Sequence, residues 1–242
     1  MPIAPIILVS DIALIGGGAL PRPGEVCLAH RGVLFLDELP EFRRSALEVL
    51  RQPLEDGMVT ISRVARALSY PADCMLVAAM NPCPCGYFGH PHRKCTCSDR
   101  QVRQYLNRIS GPLLDRFDLH IEVEPVSFDD LSAKTKSESS AEIRKRVQAA
   151  RERQTRRFAG TNIFCNAAIP AGKLQDYCML DSDALTLLHA VFDKLGLSAR
   201  AYDRILKVAR TIADLDQCDV IGKKHIASAA QFRSLDRKYW AQ

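Results

Sequence analysis

No apolar run in these 242 residues approaches the length of a membrane span, which excludes a bilayer-crossing helix within them. The first ten residues, MPIAPIILVS, lack a basic stretch, and their apolar part is too short for a signal peptide. A phosphate-cradling Gly-x-x-x-x-Gly-Lys-Ser/Thr loop is also missing. Gly-Lys occurs at Gly172-Lys173 and Gly222-Lys223, in neither case with a glycine five places earlier or Ser/Thr next, and Gly16-Gly17-Gly18 has no lysine. There is no internal repeat and no low-complexity tract. With 47% hydrophobic and 25% charged residues, the composition is that of a soluble globular protein with a real core. Nine cysteines without an export signal point to a reducing cytoplasm, where clustered thiols more often hold metal than form disulfides.

The most informative stretch that is present is Gly32–Phe42, GVLFLDELPEF. An apolar run ending in Asp-Glu and then Leu-Pro reads as a buried parallel strand that delivers two carboxylates to a sheet edge. This is the Walker B arrangement of nucleoside-triphosphate hydrolases, in which Asp37 helps hold Mg²⁺ on the phosphates and Glu38 orients the attacking water. An ordinary buried strand whose terminal acids cap the next helix has the same pattern. A helix is expected from about Arg43 to Leu54, with Leu47, Leu50 and Leu54 on one face. Met58–Leu68 is expected to form a hairpin, Cys74–Pro82 a second strand, Asp99–Asn107 a polar helix and Leu119–Val123 a third strand. Strands alternating with helices imply an α/β fold with a parallel sheet, here over residues 1–126. The Ser-, Asp- and Lys-rich residues 127–140 read as a linker. Residues 141–242 read as all-helical, with helices at Ala141–Phe158, Asp181–Leu195, Ser198–Leu215 and Lys223–Trp240, Ser198 as an N-cap and Gly196 and Gly222 in the gaps.

A second signal lies in Cys83–Cys97, CPCGYFGHPHRKCTC. Two Cys-x-Cys pairs flank a nine-residue loop, so Cys83, Cys85, Cys95 and Cys97 can close a tetrahedral Zn²⁺ site with no open position. His90 and His92 lie between the pairs as substitute ligands. Asn81, at the end of the second strand, is placed to orient a lytic water or touch a γ-phosphate, although Asn-Pro is also a common strand-ending turn. Arg116, beside Asp115 and Asp118, is placed either for a salt bridge or to act across a subunit interface as an arginine finger. Arg200 and Arg204 fall off the apolar stripe of Ile205, Val208, Ala209 and Ile212. The net charge of +5 is matched by Glu142–Arg157 alone, which has seven Arg/Lys against two Glu. That segment can attract phosphate backbones, and it also has the pattern of an ordinary solvated helix.

Taken together, LIGGG…PRPGEVCLAHRGVLFLDELPEF, AAMNPCPCGYFG…CTC and ISGPLLDRFDLHIEV resemble the ComM/YifB family of magnesium-chelatase-like AAA+ ATPases, from about Ser10 to the C-terminus. The resemblance implies a partial AAA+ core followed by an all-helical C-terminal lid domain. It makes Asp37 and Glu38 Walker B, Asn81 sensor 1, Arg116 the arginine finger and Arg200 sensor 2, and it assigns the four cysteines to the family's metal-binding loop. It implies ATP and Mg²⁺ as cofactors and hexameric rings that act on DNA, with helicase and branch-migration activity in natural transformation. In the wider clade, which includes the MCM helicases, a hairpin precedes sensor 1. Here that hairpin corresponds to Met58–Leu68, where Arg63 and Arg66 would contact backbone phosphates. Metal chelation is disfavoured by the cysteine loop and the ComM-like wording of the motifs. Without a P-loop, and with MPIAPIILV where the family has a Pro-Phe-Arg…His-His stretch, the expectation is a truncated product with weak or absent ATP binding. The alternative is a zinc-stabilised, non-catalytic remnant that associates with a full-length homologue or with DNA.

Overall fold

The computed structural model describes residues 11–17, 22–63, 66–126 and 138–233, without side chains at 62, 63, 66 and 195. The chain divides into two compact units, with the boundary between Phe117 and Asp118.

The first unit opens with a short helix, α1 (Asp11–Ile15), and a two-residue ladder between β1 (Gly16–Gly17) and β2 (Arg22–Pro23). Gly16 has a φ of +104°, and a Cβ there would lie 2.2 Å from the Arg22 carbonyl oxygen, so this crossing tolerates only glycine. Helix α2 (Glu25–Leu28) leads to β3 (Val33–Leu36). Strand β3 pairs in parallel with β6 (Met75–Ala78), Leu34 opposite Leu76 and Leu36 opposite Ala78. Leu34 and Leu36 are buried, whereas Met75 and Val77 of β6 are 65% and 40% exposed. Strand β3 therefore faces the core and β6 leaves one face to solvent.

Between these strands run α3 (Arg44–Val49), α4 (Arg51–Asp56) and an antiparallel hairpin of β4 (Met58–Arg63) and β5 (Arg66–Pro71). The single helix expected over Arg43–Leu54 is thus two, joined at Leu50. Pro53 explains the break, since it has no N–H to donate to the Val49 carbonyl. Leu47 and Leu50 are buried and Leu54 half-buried, so the expected apolar face survives the break. Helices α5 (Asp99–Leu106) and α6 (Gly111–Leu114) complete the unit. Ser98 caps α5 reciprocally with Gln101, its Oγ accepting from the Gln101 N–H while the Gln101 side chain accepts from the Ser98 N–H.

The third strand expected at Leu119–Val123 is not formed. Its alternation persists, with Leu119, Ile121 and Val123 exposed, but among the described residues no strand pairs with it. A strand exists only by hydrogen-bonding to a neighbour, and here the His120 N–H donates instead to the Phe232 carbonyl.

The second unit is built from α7 (Ser140–Arg157), α8 (Leu174–Tyr177), α9 (Ser182–Leu195), α10 (Ala199–Leu215) and α11 (Lys223–Gln231). Asp181 and Ser198 cap α9 and α10, and Gly196 ends α9 in the left-handed conformation. Residues 127–137, most of the expected linker, lie outside the described residues, as do those after 233; Ser139 caps α7. Ile205, Leu206, Ala209 and Ala213 of α10 pack with Leu188, Ile221 and Ile226 in one apolar core.

Along the side of that core runs a buried polar network. Asp214, fully buried, accepts from Arg157 and from Asn166 Nδ2 at 2.8 Å, and lies 3.2 Å from the nearly inaccessible Arg210. Burial alone would raise the Asp214 pKa, but the hydrogen bonds from Arg157 and Asn166 and the Arg210 charge outweigh it and hold it low. A depressed carboxylate pKa contributes stability that is fully present above the unfolded value, about 3.9, and is lost as pH falls through the folded value. Asp214→Ala should therefore destabilise this unit by about 3–5 kcal/mol, because it strands buried cations. Asp214→Asn should in addition flatten the acid limb of stability below about pH 4. Urea midpoints measured across pH check both outcomes.

Candidate functional site

Because β3 and β6 are parallel and in register, their carboxyl ends emerge at one edge, Asp37-Glu38 from one strand and Ala79-Met80-Asn81 from the other. In open α/β sheets this is the edge where ligands bind. The backbone holds the two ends together, with the Ala79 N–H donating to Leu36 O and the Leu39 N–H to Ala79 O, each at 2.9 Å. Asp37 is half-buried, whereas Glu38 and Asn81 are exposed. Glu38 has a left-handed φ of +51°, rare for a residue with a Cβ, and its N–H donates to Asp37 Oδ1 at 2.9 Å. Conformations of this kind cost free energy and concentrate where a side chain must be aimed.

Helix α5 braces the loop after Glu38. Arg108, just beyond the helix, donates through one nitrogen to the Pro40 carbonyl at 2.8 Å and to Glu41 Oε2 at 3.0 Å. Tyr105 is buried nearby, and its pKa is raised first by that burial and then by the Glu41 charge. The sequence reading missed both residues. The Ser98-x-x-Gln101 cap immediately after Cys97 is the readable signal that a fixed helix starts there.

All four cysteine sulfurs lie within 4.8 Å of one another, and all nine cysteines of the chain are unbridged. The Cys83–Cys85, Cys85–Cys95 and Cys83–Cys95 sulfur separations are 3.4, 3.5 and 3.7 Å. Four thiolates about 2.3 Å from a tetrahedral ion would stand about 3.8 Å apart. Gly86, at φ +80°, turns the chain directly after Cys85, and its N–H donates to the Cys83 carbonyl at 3.0 Å. Of the two nitrogens of His90, Nδ1 accepts from the backbone N–H groups of His92 and Arg93. Hydrogen bonding from the Tyr87 backbone, then from Thr96, lowers the Cys85 thiol to about 5. At Cys95 the Cys97 backbone bond lowers the pKa, but desolvation and the Cys85 and Cys83 sulfurs outweigh it and push it up to about 12. One thiolate forms readily and then opposes the next, an opposition that a bound dication removes. The geometry and the donor set fit a metal ion.

The arginines are placed differently from each other. Arg116 is almost entirely buried. Its Nε donates to the Arg51 carbonyl at 3.2 Å, and its two terminal nitrogens donate to the Pro112 carbonyl and to Glu55. The salt-bridge partner is thus Glu55 rather than Asp115 or Asp118, and Asp118 pairs with Arg204 instead. Arg200 belongs to the second unit, exposed in the first turn of α10. Arg63 and Arg66 pair backbone to backbone at the tip of the hairpin, and their side chains lie outside the described residues.

Fold and site together define a mixed α/β protein with a parallel strand pair, a helix-rich remainder and a four-cysteine cluster able to hold a metal ion. The family model for magnesium chelatase subunit ChlI matches residues 3–131, and that for the ChlI C-terminal region matches residues 137–233. YifB of Escherichia coli (strain K12), an uncharacterized protein, is 48% identical over 227 residues, covering 93% of this chain and 44% of YifB. Competence protein ComM of Haemophilus influenzae is 46% identical over 226 residues, covering 93% and 43%. The magnesium-chelatase 38 kDa subunit of Acidiphilium rubrum is 25% identical over 224 residues, covering 90% and 56%. The chain belongs to the magnesium-chelatase-like family that includes YifB and ComM. It spans less than half the length of these two relatives.

The chain is expected to bind one metal ion through four thiolates. Titration with Co²⁺ should give tetrahedral d–d bands and thiolate charge-transfer absorption at one equivalent, both lost in Cys85→Ser. Acidification should bleach the spectrum, because each sulfur must be deprotonated to bind.

Proposed function

We propose that this chain is the C-terminal portion of a ComM-like AAA+ ATPase that couples ATP hydrolysis to DNA remodelling, such as helicase or branch-migration activity in natural transformation. The observation that carries this reading is the convergence of Asp37, Glu38 and Asn81 at the carboxyl edge of two paired parallel strands. In this reading Asp37 holds Mg²⁺ on the nucleotide, Glu38 polarises the attacking water, and Asn81 orients it as sensor 1. Arg200 is the sensor 2 arginine by the family resemblance. Arg116 serves a neighbouring subunit's nucleotide as an arginine finger, which requires it to leave Glu55. The ring is a hexamer in the cytoplasm, and Arg63 and Arg66 contact DNA phosphates from the hairpin. Zn²⁺ occupies the cysteine cluster in a structural role, since four thiolates leave it no open coordination position. No described helix is long and apolar enough to cross a membrane.

The phosphate-cradling lysine is not among the 242 residues. On its own this chain should therefore bind ATP more weakly than micromolar and hydrolyse it slowly. Stimulation of ATP hydrolysis by DNA in the wild-type chain, abolished by Glu38→Gln, is the expected result. If the wild type and Glu38→Gln are equally inactive with and without DNA, the chain is the non-catalytic, zinc-stabilised binding module instead.

A further inference from the structure

The basic residues of α7 sort into two groups with different surroundings. Arg146, Arg153 and Arg157 are engaged by carboxylates, Arg146 by Glu138, Arg153 by Asp219, and Arg157 by buried Asp214. Arg144, Lys145, Arg151 and Arg156 are all exposed, and no described carboxylate pairs with them. At 3.6 residues per turn these four fall within about 140° of arc. The arc lies opposite the line of Ala150 and Gln154, the buried residues of the helix. The exposed arc also carries Ala141, Gln148, Glu152 and Thr155, and Glu152 is already hydrogen-bonded by Gln148 at 3.1 Å.

We infer that this face of α7 is a second nucleic-acid contact, distinct from the strand edge and the hairpin, which binds the phosphate backbone of duplex DNA without reading its sequence. The inference rests on the proposed action on DNA and names where the second unit meets it. Two features select phosphate over other partners. The arc holds no large apolar residue, so it offers neither a wedge for a membrane interface nor an anchor for a protein groove. It holds no aromatic residue for stacking on unpaired bases either. What it offers is cationic reach. From Arg144 to Arg156 the helix rises about 18 Å, a length over which duplex DNA presents about ten phosphate charges. Long, hydrated side chains on a rigid rod suit contacts that fix position and orientation while leaving sequence unread.

The test is fluorescence anisotropy of the whole chain with two labelled 20-base-pair duplexes of unrelated sequence, between 50 and 200 mM salt. The comparison variant is R144Q/K145Q/R151Q/R156Q, in which glutamine keeps helix propensity, with circular dichroism to confirm the fold. Four lost phosphate contacts should lower the log–log salt slope by about 3.6. Over this salt range the wild-type affinity should then fall by about two decades more than the variant's. The charge-conserving R144K/R151K/R156K should keep the wild-type slope, and both duplexes should behave alike. An unchanged slope in the glutamine variant, with wild-type binding intact, overturns this inference and leaves the proposed function standing. No duplex binding by the wild type overturns both. Wild-type binding to phosphatidylserine vesicles that the glutamine variant loses, with duplex binding and its salt slope unchanged, reassigns the face to a membrane surface and overturns the inference.

Discussion

Parallel pairing of two short apolar strands is the constraint on which the first unit depends. With Leu34 and Leu36 buried, β3 cannot slip by one residue without turning its core side chains outward. Register with β6 follows, and so does the position of every group at the carboxyl edge. The Asp37-Glu38 pair and Asn81 are separated by more than forty residues of sequence, yet they share an edge because the strands run the same way. The left-handed backbone at Glu38 then breaks the strand sharply, so that the next residues turn back along Ala79 instead of extending the sheet.

The cysteine cluster sets the start of α5 in a comparable way. Cys97 is followed at once by the Ser98 cap, so fixing the sulfurs fixes the first turn of the helix. The far end of α5 carries Tyr105 and leads to Arg108, which holds the loop behind Glu38. A continuous physical path thus runs from the thiols to the acidic edge. It links the four clustered sulfurs, which stand just beyond a strand end, to the loop behind Glu38.

Much of this was legible in the sequence where the determinants are local. Apolar runs ending in Asp-Glu and Asn-Pro gave strands near the expected places, Cys-x-Cys spacing gave the cluster, and Ser198 gave a cap. The misses share one cause, dependence on a distant partner. Leu119–Val123 alternates like a strand, but alternation only prepares a segment for pairing, and no described strand lies alongside it. Nothing near Arg116 in sequence announces Glu55, 61 positions away. The Asp214 network draws on α7, the 3₁₀ turn that begins at Asn166, and α10, so no window of sequence displays it. The break at Leu50 is different, because its cause, Pro53, is local to the helix it interrupts.

Arg116 carries a thermodynamic consequence. With its guanidinium nitrogens on acceptors of its own unit, any anion that recruits it must first displace Glu55. The two events are then linked, and the linkage runs both ways. Whatever draws Arg116 outward breaks its ion pair with Glu55 of α4, and whatever neutralises Glu55 makes the arginine easier to draw. The ion pair thus acts as a threshold, set in free energy, that a ligand of Arg116 has to exceed.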